Sequence, residues 1–321
     1  MMIGALSDPA PNASRRSMTK SPDFLPMFEP GEVPTVTRFA PTPSGYLHMG
    51  HAYAALVAWE AARAVGGRFL LRMEDIDRQR CRPEFEQGIC DDLRWLGLYW
   101  DGPVVHQSDR MDRYDQALSQ LDRLGVLYPC FCTRRRIRVE IAHASQAPHG
   151  PVGEAIYPGI CRCLDVGERR RRIEAGEAYA LRLDVGRALE LSGPLTWYDA
   201  RAGTLRARPE ALGDVVLARK DIPTSYHLAV TVDDARQGVS LVTRGEDLFE
   251  ATHVHCLLQA LLGLRAPRYY HHNLVADARG LRLAKRNQAM TLRVLRQSGR
   301  RPDEVWRLLG LRDAAPAAAA Q

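Results

Sequence analysis

Short β-prone runs alternate with helical stretches in the first part of the chain. Residues 35–39 (Thr-Val-Thr-Arg-Phe) predict a strand that breaks at two prolines, and residues 52–65 then have the composition of a helix. A second strand is predicted at 68–73 and a second helix at about 83–96. This alternation predicts a parallel sheet with helices on both faces.

The pattern changes between about residues 126 and 220, where cysteines, short β-prone pieces and arginine runs replace the alternation. We interpret this segment as an insertion between two halves of the sheet. The sheet pattern returns at 239–243 and is followed by a predicted helix at 249–262. Apolar residues at helical spacing then predict a small helical piece at about 289–311.

The two ends of the chain differ in composition from this core. Residues 1–34 carry repeated prolines among serine, asparagine and glycine, which cannot form a continuous helix or strand ladder, and they predict a flexible N-terminal extension. Residues 313–321 are mostly alanine and predict a flexible tail.

Composition places the chain among ordinary soluble proteins. With 321 residues, 45% of them hydrophobic, it can bury a substantial core in one elaborated domain or two closely joined ones. A formal charge of +6 is compatible with a polyanionic partner, but it is also common in enzymes that have none.

No apolar run approaches the roughly 18–20 residues needed to span a bilayer, and the N-terminus lacks the apolar centre of a signal peptide. We therefore expect a cytoplasmic protein with no membrane partner.

The first predicted strand and helix are joined by Pro-Thr-Pro-Ser-Gly-Tyr-Leu-His-Met-Gly-His, which ends at His51. Between a strand and a helix, backbone N–H groups and the positive end of the helix dipole favour phosphate. Gly50 lets a nucleotide approach the backbone, while His48 and His51 can donate hydrogen bonds to phosphate oxygens during displacement at phosphorus. The alternative is a turn with surface histidines.

This stretch resembles the HIGH motif of the class I aminoacyl-tRNA synthetases. Arg38-Phe-Ala-Pro-Thr-Pro-Ser-Gly, together with Leu47-His-Met-Gly-His, resembles the glutamyl and glutaminyl branch of that family. Downstream, Arg282-Leu-Ala-Lys285-Arg resembles the KMSKS loop, whose second lysine, here Lys285, stabilises the departing pyrophosphate. The sequence departs from that loop's consensus at Arg282 and Ala284.

The resemblance covers roughly residues 35–290 and implies an α/β fold. The expected architecture is a Rossmann-like class I synthetase catalytic domain with an inserted zinc-bearing α+β module and a short C-terminal helical piece. The implied divisions are a flexible extension at 1–34, the first half of the catalytic domain at 35–125, the inserted module at 126–220, the second half at 221–275, the KMSKS-like loop with the helical piece at 276–312, and the tail at 313–321.

A site for an amino acid with an acidic side chain needs a carboxylate for the ammonium group and guanidinium groups for the acids. Glu74, at the end of the second predicted strand, suits the first role. Arg38 and Arg244, each at a strand end, suit the second role, and Tyr226 can add a phenolic hydrogen bond. Any one of these residues could instead form a strand-end salt bridge.

The resemblance extends both substrate sites. It adds to the glutamate site Phe39, Ala40, Pro41 and Thr42. It also implies an ATP site, with Mg²⁺ accompanying the nucleotide, formed by His48, Gly50, His51 and Lys285.

The cysteines indicate metal rather than disulfides. Four of the seven form two Cys-x-Cys pairs, and in a reducing compartment the pairs Cys130/Cys132 and Cys161/Cys163 predict one structural Cys₄ zinc site. The resemblance instead implies the ligand set Cys130, Cys132, Tyr157 and Cys161. Tyr157 and Cys163 are thus alternatives for the fourth ligand.

The expected reaction is ATP-dependent activation of L-glutamate that needs no tRNA. A glutamyl-tRNA synthetase continues past its KMSKS loop into a large helical anticodon-binding region, whereas few residues follow Arg286. The chain thus resembles a truncated branch of the family that transfers activated glutamate to queuosine in the anticodon of tRNA(Asp). The arginine runs 134–136 and 169–172 could contact tRNA phosphates or form a solvated surface, and we expect a monomer.

Three other functions remain open. The chain could be a truncated glutamyl-tRNA synthetase that charges a tRNA 3′ end, a synthetase-like ligase acting on a small molecule or protein, or a non-catalytic zinc-bearing RNA-binding paralogue. Retention of His48, His51 and Lys285 weighs against the last of these.

Overall fold

The computed structural model describes residues 34–133, 156–219, 222–275 and 291–309. The predicted extension before Pro34, the predicted tail, the KMSKS-like segment with Lys285 and the arginine run 134–136 lie outside the described residues. Within the described ranges, no helix has both the length and the apolar character needed to cross a bilayer.

Strands and helices alternate over most of the described chain. In chain order the elements are β1 (Val36–Phe39), α1 (Met49–Arg63), β2 (Arg68–Met73), α2 (Pro83–Trp95), β3 (Val105–His106), α3 (Met111–Arg123), β4 (Leu127–Cys130), α4 (Val166–Glu174), β5 (Ala180–Leu183), α5 (Val185–Ser192), β6 (Thr196–Asp199), β7 (Gly203–Arg206), β8 (Val216–Arg219), α6 (Tyr226–Arg236), β9 (Leu241–Gly245), α7 (Ala251–Leu261), β10 (Arg268–His272), α8 (Leu292–Gln297) and α9 (Pro302–Leu308).

Parallel strands form the centre of the fold, as predicted. β1 pairs in parallel with β2, and β2 with β3. A second sheet has the order β7-β6-β10-β9, in which β10 is parallel to both β6 and β9. The backbone N–H of Ser240 donates to the carbonyl oxygen of Val36 (3.0 Å), so the start of β9 lies against β1 and the two sheets adjoin.

The small side chains of α1 allow this helix to lie close to the sheet. The buried residues on its sheet-facing side are mostly alanine: Ala52, Ala55, Ala58, Ala61 and Ala62. The hydroxyl of Thr37 on β1 reaches the carbonyl oxygen of Ala58 at 2.7 Å. The close contact fixes the position of α1 against the sheet, and therefore the position of His48 at its N-terminus.

The segment between the two halves is only partly a separate unit. β4, β5 and β8 form their own antiparallel sheet in the order β4-β5-β8, next to the cysteines. β6 and β7 also fall within residues 126–220, yet they belong to the sheet of β9 and β10. A single register pair, Tyr269 with Asp199, joins β6 to β10.

The C-terminal helices pack on the first half of the fold. Leu292, Leu295 and Trp306 are buried in the same core as α1, β2 and α2. Just before α8, Thr291 forms an antiparallel bridge with His48, and the N–H of Leu292 donates to the carbonyl oxygen of Leu47 at 2.8 Å. The chain that follows the KMSKS-like segment is therefore hydrogen-bonded to the backbone at the N-terminus of α1.

Two adjacent aspartates of α6 are buried in a network of charged groups. Asp234 accepts hydrogen bonds from Nε of Arg38 (3.0 Å) and Nη1 of Arg72 (2.8 Å), which come from β1 and β2. Asp233 accepts from Arg110 (2.8 Å) and from the phenol of Tyr114 (2.7 Å). Because unpaired charges are costly to bury, this network fixes the position of α6 relative to the first sheet.

The pKa of Asp234 reflects this pairing. Burial by itself disfavours the carboxylate, but the guanidinium groups of Arg38 and Arg72 outweigh burial and hold the pKa of Asp234 below its ordinary value. A group of this kind stabilises the folded state above its unfolded pKa, and the contribution is lost as the pH falls through the folded value.

Replacing Asp234 should therefore destabilise the protein strongly. We expect Asp234→Asn to lower the free energy of unfolding at pH 7 by about 3–5 kcal/mol, because two arginines lose their buried partner. The difference from the wild type should narrow as the pH falls below about 4. Urea titrations at several pH values measure both effects.

Asp303 provides the matched control. It also contacts two arginines, Arg301 (2.9 Å) and Arg307 (2.6 Å), but on the exposed surface of α9. Asp303→Asn should leave stability essentially unchanged, because solvent screens exposed ion pairs. Equal losses in the two variants would contradict a special role for the buried network.

Candidate active site

Two histidines cap the N-terminus of α1. The N–H of Gly50 donates to Nδ1 of His48 (3.1 Å), and the N–H of His48 donates to Nδ1 of His51 (3.3 Å). The two rings stack with their centroids 3.8 Å apart. Because both Nδ1 atoms accept hydrogen bonds, each neutral ring carries its proton on Nε2. The corner can therefore present imidazole N–H donors at the positive end of a helix, which suits phosphate.

The loop before this corner also contacts Glu74. The carbonyl oxygen of Pro41 accepts a hydrogen bond from the N–H of Glu74 at 3.0 Å. Phe39 is buried in the core with α1 and β2, whereas Thr42 is exposed. Of the four residues that the resemblance adds to the glutamate site, Phe39, which ends β1, can thus contribute only its backbone.

Arg38 and Glu74 belong to the charged network around Asp234. Arg38 is 5% exposed and also donates from Nη1 to the carbonyl oxygen of Thr243 (3.2 Å). Arg72, which was not predicted from the sequence, lies 3.5 Å from the Glu74 carboxylate. Burial raises the pKa of Glu74, although Arg72 and Arg38 act to lower it.

Arg244, at the end of β9, has surroundings of a different kind. Its guanidinium donates to the phenol of Tyr226 (3.2 Å), to the hydroxyl of Thr252 (2.5 Å), to Nδ1 of His255 (3.2 Å) and to Nε2 of His271 (3.1 Å). Burial lowers the pKa of His271 to about 4 and holds that of His255 well below its ordinary value. At neutral pH none of these four partners carries a negative charge.

The predicted amino acid ligands lie close to one another. Burial raises the pKa of Tyr226, while the nearby charges of Arg244 and Arg38 act to lower it and that of Glu74 acts to raise it. Arg38 and Arg244 are buried, whereas Glu74, just after β2, and Tyr226, the first residue of α6, are half-buried. The four side chains thus form one cluster with two guanidinium groups, a carboxylate and a phenol. Such a set offers complementary groups for both acids and the ammonium of an acidic amino acid.

Three cysteines and a tyrosine form a second cluster. The ligand atoms of Cys130, Cys132 and Cys161 lie within 4.8 Å of one another, and the two sulfurs of Cys132 and Cys161 are 3.5 Å apart. The Tyr157 hydroxyl lies 3.4 Å from Sγ of Cys130 and 3.7 Å from Sγ of Cys132. Cys163 is exposed and outside this group.

These distances fit a tetrahedral metal. Zn–S bonds of about 2.3 Å place the sulfurs of a tetrahedral site about 3.8 Å apart, close to the spacing found here. The guanidinium of Arg182 lies 3.9 Å from the centroid of the Tyr157 ring, where its charge can offset part of the negative charge of a thiolate-rich site.

The arginine run on α4 is largely occupied within the protein. Arg169 donates to the carbonyl oxygen of Arg162, Arg172 lies over the ring of Phe131, and Arg171 pairs with Glu168. These contacts tie three arginines of the run to neighbouring residues, and contact of the run with tRNA phosphates stays a prediction.

Comparison with known proteins shows the family. Residues 34–321 match the family described as tRNA synthetases class I (E and Q), catalytic domain. The glutamyl-Q tRNA(Asp) synthetase of Rhodobacter capsulatus is 52% identical over 282 residues, which cover 86% of this chain and 100% of that protein. The protein of the same name from Nocardia farcinica is 47% identical, with 85% of this chain and 82% of the relative covered.

A solved structure supports the same family. A glutamate tRNA ligase from Elizabethkingia meningosepticum, crystallised with its amino acid, matches with a TM-score of 0.67 and 29% identity, over 79% of this chain and 52% of that one. This chain thus spans about half the length of that ligase. The chain belongs to the class I tRNA synthetases of the glutamate and glutamine type and, within them, to the glutamyl-Q tRNA(Asp) synthetase family.

Proposed function

We propose that this ligase activates glutamate with ATP, without tRNA, and transfers it to queuosine in the anticodon of tRNA(Asp). The observation that carries the first step is the cluster of Arg38, Glu74, Tyr226 and Arg244, together with the hydrogen bond from the N–H of Glu74 to Pro41 in the loop that leads to the histidine-capped end of α1. The relatives' name supports the acceptor.

Within the cluster, Arg244 and Tyr226 bind the side-chain carboxylate. Four hydrogen bonds to described residues account for four of the five N–H donors of Arg244, and the remaining donor is on Nη2. Tyr226 accepts from Arg244, so its own O–H can donate to the substrate. Glu74 binds the ammonium group, whose charge favours the ionised form of this carboxyl despite burial.

The activation step is a displacement at phosphorus. An oxygen of the glutamate α-carboxylate attacks the α-phosphorus of ATP, the bond to the bridging oxygen breaks, and pyrophosphate leaves. His48 and His51 donate to phosphate oxygens as charge develops, and Lys285 stabilises the pyrophosphate. Mg²⁺ accompanies the nucleotide. Thr291 pairs with His48 and follows Lys285 closely in sequence, which supports a role for this lysine at the N-terminus of α1.

The transfer step needs a hydroxyl of the acceptor. This hydroxyl attacks the carbonyl carbon of the glutamyl-adenylate, the proton of the hydroxyl passes to solvent, and AMP leaves with the electron pair of the broken bond. Unpaired bases of an anticodon loop can be splayed into such a pocket.

We expect glutamate-dependent exchange of pyrophosphate with ATP in the absence of tRNA. His51→Ala and Lys285→Ala should each lower the exchange rate on the order of 10²-fold, because each removes one contact to the transition state. Arg170, exposed on α4, is the control, and Arg170→Ala should exchange at the wild-type rate. Exchange that requires tRNA, or that survives both active-site substitutions, would contradict this step.

Labelled glutamate should appear on queuosine-containing tRNA(Asp) even after removal of its 3′ terminal adenosine. The comparison is an unmodified transcript of the same sequence, which should stay unlabelled. Label on the transcript, or label that is lost with the 3′ adenosine, would instead indicate a glutamyl-tRNA synthetase that charges the 3′ end.

We further propose one structural zinc held by Cys130, Cys132, Tyr157 and Cys161. Tyr157→Phe should weaken zinc retention in competition with a chelator, whereas Cys163→Ser should retain the metal, because the Cys163 thiol lies outside the cluster. Metal analysis of the purified protein gives the stoichiometry. Loss of zinc in Cys163→Ser, with retention in Tyr157→Phe, would support the Cys₄ alternative.

A further inference from the structure

A chain of hydrogen bonds connects Arg244 to a carboxylate on another strand. Nε of Arg244 donates to Nε2 of His271 (3.1 Å), and Nδ1 of His271 lies 2.8 Å from Oδ2 of Asp199. Arg244 and His271 are register partners on β9 and β10, and Asp199 ends the neighbouring strand β6. Three adjacent strands each contribute one member of the chain.

The contacts determine the tautomer of His271. Nε of an arginine always carries a proton, so Nε2 of His271 must accept. The ring proton therefore lies on Nδ1 and is donated to Asp199. The Asp199 carboxylate also accepts the backbone N–H groups of Arg201 (2.9 Å), Ala202 (3.0 Å) and His271 (3.1 Å). These hydrogen bonds favour its ionised form and hold it in place.

We propose that Asp199 and His271 are positioning residues for Arg244, which they orient through a neutral imidazole so that its positive charge remains for the substrate carboxylate. This inference rests on the proposed function, in which Arg244 binds glutamate. Neither residue touches the substrate. Their effect is to fix the plane of the guanidinium, and that plane determines where its remaining donor points.

The interposed imidazole is the essential feature. A carboxylate in direct contact with a buried guanidinium offsets its charge, as Asp234 does for Arg38. At Arg244 the carboxylate is one ring further away, and the atom in contact is a neutral nitrogen. Thr252 strengthens the arrangement, since its hydroxyl accepts from Nη2 of Arg244 and lies 3.2 Å from Nε2 of His271.

The test uses pyrophosphate exchange at varied glutamate concentration. In Asp199→Asn the side-chain amide can donate a hydrogen bond to Nδ1 of His271. The ring proton of His271 then moves to Nε2, where it points at the N–H of Arg244 and removes that hydrogen bond. We expect the KM for glutamate to rise about 10- to 100-fold, the range for loss of one hydrogen bond to a charged group. The KM for ATP should not change.

Asp214→Asn is the matched control. Asp214 is an equally buried carboxylate, 4% exposed against 1% for Asp199, and it accepts from the phenol of Tyr128. Its removal should leave the KM for glutamate unchanged, whatever its effect on stability. A similar rise in KM in both variants would overturn the positioning role.

A double-mutant cycle separates positioning from general damage. His271→Gln can keep an oxygen acceptor for Arg244 that does not depend on Asp199. In this background Asp199→Asn should change the KM for glutamate less than about twofold. The same rise in both backgrounds, or an unchanged KM in the single Asp199→Asn variant, would overturn the proposal.

The wild-type protein gives a measurement that does not depend on variant folding. In ¹⁵N-histidine-labelled protein, with His271 assigned by comparison with His271→Gln, the ring should show its proton on Nδ1. A proton on Nε2 would overturn the positioning role. Absence of glutamate-dependent exchange in the wild type would instead count against the proposed function itself.

Discussion

The pairing of Asp234 with Arg38 and Arg72 is the interaction on which the rest of the structure depends. It joins the last turns of α6 to two parallel strands, and it does so where water is excluded. Each partner would be costly to bury alone, so the three charges determine one another's positions. α6 begins at Tyr226 and leads into β9, which carries Arg244. The same interaction therefore sets the distance from Arg38 and Glu74 on one side of the site to Tyr226 and Arg244 on the other.

The two arginines predicted to bind acids are therefore not equivalent. Arg38 is in direct contact with a carboxylate and shares it with Arg72, so part of its charge is offset within the fold. Arg244 is surrounded by a phenol, a hydroxyl and two imidazoles. A buried guanidinium with neutral hydrogen-bond partners attracts an anion more strongly, and we therefore propose Arg244 as the principal anion-binding group.

Local patterns in the sequence account for the elements around the α1 corner. The strand predicted at 68–73 has the bounds found in the structure, and the helix predicted at 52–65 begins slightly earlier because the His48 side chain caps it. The parallel sheet of the α/β fold was likewise expected from the alternation of strands and helices, and it is confirmed.

Long-range pairing was not visible in the sequence. β6 lies in a stretch interpreted as insertion, and only its register with β10 brings Asp199 close to His271. Asp233 and Asp234 gave a weak signal, since two adjacent acids stand among apolar residues of one helix. The choice between Tyr157 and Cys163 also depends on tertiary structure, because spacing along the chain allows both.

The neutral hydrogen-bond partners of Arg244 have a consequence for discrimination between glutamate and glutamine. The two side chains are nearly isosteric, so shape alone separates them poorly. A glutamine amide in the pocket would bring no negative charge to the guanidinium, and one of its two orientations would set N–H against N–H. The guanidinium would then gain no anionic partner from the substrate, whereas a carboxylate supplies both the charge and the acceptors. In the proposed site, selection of the acid over the amide thus follows from the neutral character of the four described hydrogen-bond partners of Arg244.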